Sequence, residues 1–203
     1  STVTGEVPCF ATAAASSRTV ALVPCALTPL ASSEAAALRA ALSGRLPKRG
    51  HALVLGGDTG VGMAELAGAS GIRTIVAERD AARALERRAS LDAAGLYGHR
   101  VTVSHTPDLG QLPFSDYFAN VVVWGDPAAP GEDVAAEMLR VLKPWGGCLI
   151  VPAAAASPFR SEAQALPLAE ESRAGLVLFT RGPLPGDGSW TPQYAEPGNA
   201  GSS

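Results

Sequence analysis

The stretch Leu53-Val54-Leu55-Gly56-Gly57-Asp58-Thr59-Gly60 decides how this chain is read. A short apolar run over 52–55 ends in glycines, and residues 62–69 then have the composition of a helix. Glycine at such a strand-to-helix turn accepts positive φ, and its missing side chain lets a ligand approach the main chain closely. A plain strand-to-helix turn would look the same, so both readings stand at this point. The dinucleotide fingerprint G-x-G-x-x-G is a direct test. Gly60 and Gly62 supply its first two glycines, but Glu65 occupies the third position, which weakens a nicotinamide-dinucleotide reading. Glu78 closes the next apolar run, 18 residues beyond Gly60. A carboxylate there can accept both hydroxyls of a ribose. A solvated acid at a strand end is the plainer alternative, and the glycine turn upstream favours the ribose role.

Working outward, short apolar runs alternate with helical patterns. Strands are expected at 52–56, 74–78, 100–104, 120–124 and 147–151. A helix is expected over 80–94, with Asp80 as N-cap and Gly95 as its stop. Val134, Met138, Val141 and Leu142 recur at i, i+4, i+7 and i+8 and mark one face of another helix. Runs this short and this apolar are strands buried on both faces, as in the parallel sheet of a doubly wound α/β fold. The strand from Ala52 then belongs at the centre, because a ligand-binding glycine turn needs a topological switch point.

Four regions follow. Residues 1–50 form an N-terminal segment with a possible strand at 19–24 and a helix over 33–42. Residues 51–152 are the α/β core. Residues 153–182 are expected to hold a helix over 161–173, interrupted by Pro167, and a last strand at 175–180. Residues 183–203 read as an extended tail, with eight Gly or Pro residues and almost no apolar periodicity. With one late strand in view, the C-terminal part of the sheet is expected to be reduced.

Composition narrows the function. The chain of 203 residues is 47% apolar and 17% charged, which fits a folded, soluble body rather than a disordered chain. A net charge of −3 and no basic face argue against nucleic acid as a partner. The apolar stretch 19–31 is too short, and too broken by Pro24 and Pro29, to be a transmembrane segment. Cys9, Cys25 and Cys148 form no metal-ligand spacing, and Cys148 sits in an apolar run as a small core residue. The start at Ser1 fits a chain imported into an organelle or excised from a larger one, and it leaves the compartment open.

Together these segments resemble the class I S-adenosylmethionine (SAM) methyltransferases, especially those acting on small molecules. Gly56, Gly57 and Gly60 stand where that family carries its G-x-G-x-G loop, and Glu78 matches its ribose-binding acid. Asp108-Leu109-Gly110-Gln111-Leu112-Pro113-Phe114 is similar to the family's D-x-x-x-L-P-F segment. The resemblance implies a hydrogen bond from the adenine amino group to Asp108, with Leu109 beside the ring. Phe118-Ala119-Asn120-Val121-Val122-Val123 resembles the F-D-x-V-V strand, and Arg140 to Gly147 resembles R-V-L-K-P-G-G. Residues 93–98, 116–120, 181–186 and 190–194 also resemble the methyltransferase-like domain of bacterial multidomain proteins that carry a PQQ-type β-propeller.

The departures bear on activity. Asp58 replaces the middle glycine of the loop and would face the carboxylate of bound SAM. Like charges a few Å apart cost on the order of 1–4 kcal/mol. Val54, Asn120 and Trp145 also depart from the family pattern. No Asn/Asp-Pro-Pro-Tyr/Phe motif follows the fourth strand; Asp126 is a candidate base and His105 a candidate pocket residue, and surface positions are the plainer reading of both. The expectation is therefore a degenerate methyltransferase-fold domain serving a larger assembly through a protein partner, with SAM binding weakened or lost. The alternative is an active SAM-dependent methyltransferase on a small-molecule substrate. A pocket filled by side chains of the 56–62 loop or by Trp124 would favour the first.

Overall fold

The computed structural model describes residues 33–56, 66, 68, 71–162 and 166–186. Seven strands form one sheet in the order β3-β2-β1-β4-β5-β7-β6. They are β1 (Gly50–Leu55), β2 (Ile72–Glu78), β3 (Val101–His105), β4 (Val121–Trp124), β5 (Cys148–Pro152), β6 (Leu168–Arg173) and β7 (Leu176–Arg181). Strands β1 to β5 run parallel, with β1 between β2 and β4. β7 is antiparallel to both β5 and β6. The expected central position of the strand from Ala52 is what the structure has.

Strand side chains alternate between two cores. Leu53 and Leu55 of β1, Val122 and Trp124 of β4, and Leu149 and Val151 of β5 enter one core. Ala52, Val54, Val121, Val123, Cys148 and Ile150 enter the other. Both faces therefore need helices. Helix α3 (Glu132–Val141) covers the first core with Val134, Ala135, Met138, Leu139 and Val141, and Phe159 of the short α4 (Ser157–Glu162) joins it. Helix α1 (Ser33–Leu42) and helix α2 (Ala81–Ala93) cover the second with Leu38, Ala41, Leu42, Ala84 and Leu91. Asp80 caps α2, its side chain accepting a hydrogen bond from Arg83 N at 2.8 Å. Cys148 is buried, and burial pushes its thiol up to about 11, as suits an inert core residue.

Two expectations need correction. A helix does not run over 161–173: α4 ends at Glu162, and Leu168–Arg173 is a strand. The C-terminal part of the sheet is consequently not reduced, because it has both β6 and β7. The sequence LAEESR hides its strand because every residue after Leu168 is exposed, so no apolar alternation marks it. Backbone pairing to β7 holds it, through a two-residue turn in which Ala174 and Gly175 both take positive φ (51° and 80°). Its acids are tied down sideways, Glu170 to Arg160 at 2.7 Å and Glu171 to Arg45. Charges on an edge strand discourage pairing with another chain.

The possible strand at 19–24, residues 62–65, 67 and 69 of the helix expected over 62–69, Cys9, Cys25 and the tail beyond 186 lie outside the described residues.

Below the sheet, the 108–118 segment is fastened to α3. Glu137 accepts from Leu112 N (2.9 Å) and from Arg140 Nε (2.7 Å) and Nη2 (2.8 Å), while Arg140 also reaches Asp116 (2.6 Å) and the Leu112 carbonyl (3.2 Å). The Arg140 hydrogen bonds hold the Glu137 carboxyl below its usual range. A depressed carboxyl stabilises the fold above its unfolded pKa, and that gain is lost as pH falls through the folded value. Glu137→Gln should thus lower stability at pH 7 by about 1–2 kcal/mol. Thermal melts of the two proteins should converge below about pH 4; a gap that stays constant with pH would show that the charge contributes nothing.

Candidate functional site

A cleft of about 470 Å³ opens at the carboxyl ends of β1, β2 and β4, within the range of small-molecule sites. The sheet dictates this place. β2 and β3 follow β1 on one side and β4 continues on the other, so the segments leaving β1 and β4 diverge and leave a crevice between them. Gly56 lines it from the end of β1, Ala77 and Glu78 from β2, and Arg79, Asp80 and Arg83 from the turn into α2. Leu109 lines another part, and Trp124, Asp126 and residues 128–131 form the side beyond β4.

Glu78 is buried. Its Oε1 accepts from Asp80 N at 3.1 Å, and its Oε2 pairs with Arg87 Nε at 3.3 Å. Each carboxylate oxygen has two acceptor sites, so one on each remains for a ribose diol. Arg87 balances the buried charge. Asp80 spends its carboxylate on α2, and the Arg83 N–H holds its pKa below the usual range. Asp126 accepts from Ala128 N at 2.9 Å and so shapes the loop after β4.

Of the residues singled out from sequence, Gly56, Glu78 and Leu109 come together around the cleft, and Asp126 joins them. Asp108 is not among the lining residues: it is exposed, and its Oδ1 accepts from Gly110 N at 2.8 Å. His105 ends β3 exposed and does not line the cleft. Gly57, Asp58 and Gly60 lie outside the described residues. Arg79 and Arg83 escaped notice. Their signal was the four-residue spacing of Arg79, Arg83 and Arg87, which places basic side chains along one face at the start of a helix. Among the described residues, no group of three or more His, Cys, Asp or Glu could hold a metal ion.

Gly56 has φ +73°, and a Cβ built there would lie 2.7–2.9 Å from the six-membered ring of Trp124. The indole is buried, and its Nε1 donates to Ala128 O at 2.9 Å. The space that a side chain at position 56 would need is thus taken by Trp124, while Gly56 and the ring both line the open cleft. For SAM, the residues fit in part. Glu78 and Leu109 suit a nucleoside, while the Trp124 ring packs against Gly56 and narrows the cleft on that side. Gly56→Ala should cost about 2–4 kcal/mol, from the left-handed backbone and from overpacking against the ring. In a Trp124→Leu background the same change should cost about 1–2 kcal/mol less. Denaturant titrations of the four proteins measure that coupling, and strict additivity would mean that the ring does not dictate the glycine.

No family model matches the chain, and no curated protein matches it in sequence. Solved structures do. A Methanococcus maripaludis protein, provisionally named an S-adenosyl-L-methionine-dependent methyltransferase, superposes with a TM-score of 0.55 at 13% identity, over 78% of this chain and 86% of that one. A predicted O-methyltransferase of Agrobacterium tumefaciens gives 0.53 at 18% identity, over 73% and 86%. Geranyl diphosphate methyltransferase, solved in complex with SAM, gives 0.54 at 17% identity, over 68% of this chain but 65% of its own. Several other matched structures are longer, and this chain spans 43–50% of their length. Likenesses at these identities speak to architecture, and the architecture they share with this chain is the class I methyltransferase fold.

Proposed function

We propose that this chain is a methyltransferase-fold domain that keeps the nucleoside end of the cleft, has lost methyl transfer, and serves as a structural or accessory part of a larger assembly. The observation that carries the reading is the Trp124 indole seated against Gly56. In SAM chemistry the glycine turn receives the amino-acid end of the cofactor, as the family resemblance implies, and proximity of methyl donor and acceptor is the main source of rate. The ring narrows the cleft beside Gly56, and Asp58, two residues further along the sequence, would add like charge toward the carboxylate of SAM. An exposed aromatic pair at the other end of the sheet supports the assembly role. Trp145 is 70% and Tyr117 39% exposed, and aromatic residues are enriched at protein interfaces.

A second reading, an active SAM-dependent methyltransferase acting on a small molecule, is favoured by the volume of the cleft and by Glu78 and Asp126 along its wall. Isothermal titration with SAM and S-adenosylhomocysteine separates the two. The unaltered protein should bind SAM with a Kd weaker than about 100 μM, less than 6 kcal/mol of binding free energy. Asp58→Gly should tighten binding, most at low salt, where exposed charges are least screened. Trp124→Leu should tighten it independently of salt. Binding at about 1 μM or tighter by the unaltered protein would overturn the degenerate reading and put the enzyme first.

A further inference from the structure

We infer that the cleft selects a nucleotide whose ribose carries a phosphate, gripped by Arg79 and Arg83. This rests on the reading above that the cleft keeps a nucleoside end, and it adds a ligand class to it.

The charges around the cleft carry the argument. Among the described residues, five ionisable side chains line it: Glu78, Asp80, Asp126, Arg79 and Arg83. The three acids are already engaged. Glu78 is paired with Arg87, Asp80 caps α2 through Arg83 N, and Asp126 holds Ala128 N. Neither arginine has a comparable commitment. Among the described residues, the guanidiniums of Arg79 and Arg83 make no hydrogen bond or ion pair; Asp80 acts on Arg83 only as a nearby charge. Two uncommitted guanidiniums therefore flank a cleft whose carboxylates each already have a partner.

Their position selects the part of the ligand they would meet. Arg79 directly follows Glu78, and Arg83 is the third residue of α2, so both belong to the β2 side of the cleft. A ribose that donates its one free hydroxyl to Glu78 turns its other, phosphorylated oxygen toward this side. In nucleotide-binding α/β folds, an acid at this strand end suits a free ribose hydroxyl, and an arginine beside it accommodates a 2′-phosphate. Here both are present, and Arg87 removes the repulsion that Glu78 would otherwise exert on a phosphate. Guanidinium matches phosphate geometry through paired N–H donors, which lysine lacks.

Titration of the intact chain with adenosine, adenosine 2′-monophosphate and adenosine 3′-monophosphate at low salt tests this. One of the monophosphates should bind about tenfold or more tightly than adenosine, as charge-assisted paired hydrogen bonds allow. Arg79→Gln with Arg83→Gln should abolish that advantage, so that the monophosphate binds no more tightly than adenosine does to the same variant, with circular dichroism melts confirming an intact fold. Arg79→Lys should recover only part of it. Adenosine binding as well as both monophosphates overturns this inference alone, and so does an advantage that survives in the double variant. If neither adenosine nor a monophosphate binds, the nucleoside reading of the cleft falls with it. SAM affinity is a separate readout and bears on the proposed function.

Discussion

β1 is paired along its length on both sides, to β2 by Gly50–Leu55 and to β4 by Ala52–Leu55, and the rest of the molecule follows from that. A strand with two neighbours has no free edge, so its side chains must leave through both faces. Leu53 and Leu55 go one way, Ala52 and Val54 the other, and all four are fully buried. Each face then requires an apolar helical cover, which parallel crossovers supply. Because the chain leaves β1 toward one side of the sheet and reaches β4 on the other, the carboxyl ends of these two strands cannot be closed by one connection. The cleft is a geometric consequence of burying β1.

This logic explains which features were legible in the sequence. The parallel strands announce themselves because burial on both faces permits only apolar residues, and Val121-Val122-Val123 or Cys148-Leu149-Ile150-Val151 has no other plausible fate. Asp80 and Gly95 bracket α2 because caps are local chemistry. β6 was illegible for the opposite reason. Its six residues bury almost nothing, and backbone pairing and flanking arginines, which are nonlocal, fix its state. The cleft was legible in outline through Gly56, Glu78 and Leu109. Its arginine wall was not, since a basic residue on a helix is usually a solvated face, and only the turn from β2 into α2 brings Arg79 and Arg83 to the cleft.

The glycine at 56 shows how one residue type can satisfy two different demands. From sequence it signals room for a ligand; in the structure its missing Cβ makes room for an indole. The indole occupies the position that a Cβ would take, while Gly56 itself still faces the cleft. Trp124 is also held from its far side by the Ala128 carbonyl, within a loop shaped by Asp126, so its placement is supported by neighbours on both sides of the ring. A side chain at position 56 would have to displace a ring together with the loop that anchors it.

Departures from a family pattern carry different weight at the two ends of the sheet. Asn120 and Trp145 look, in sequence, like signs of a relaxed cofactor site, yet both precede strands and therefore lie at the end away from the cleft. Asn120 is structurally occupied. Its Oδ1 accepts from His51 N at 3.1 Å and from Lys143 Nζ at 3.2 Å, tying β1 to the turn before β5, and Gly50 leaves the space its amide fills. Trp145 takes a left-handed backbone (φ 58°) in a turn held by hydrogen bonds from Trp145 N and Gly146 N to the carbonyls of Gly182 and Arg181. Arg181 in turn is buried, donates to the Leu139 and Leu142 carbonyls at the end of α3, and lies over the Tyr117 ring at 5.0 Å. This end is a bonded framework whose residues answer to packing, and Asn120, Trp145, Arg181 and Tyr117 are not among the described residues that line the cleft. Val54 lies instead near the carboxyl end of β1, two residues before Gly56, where it is fully buried in the second core. Of the four departures, Asn120 and Trp145 lie away from the cleft, Val54 is buried at the cleft end of β1, and position 58 lies outside the described residues.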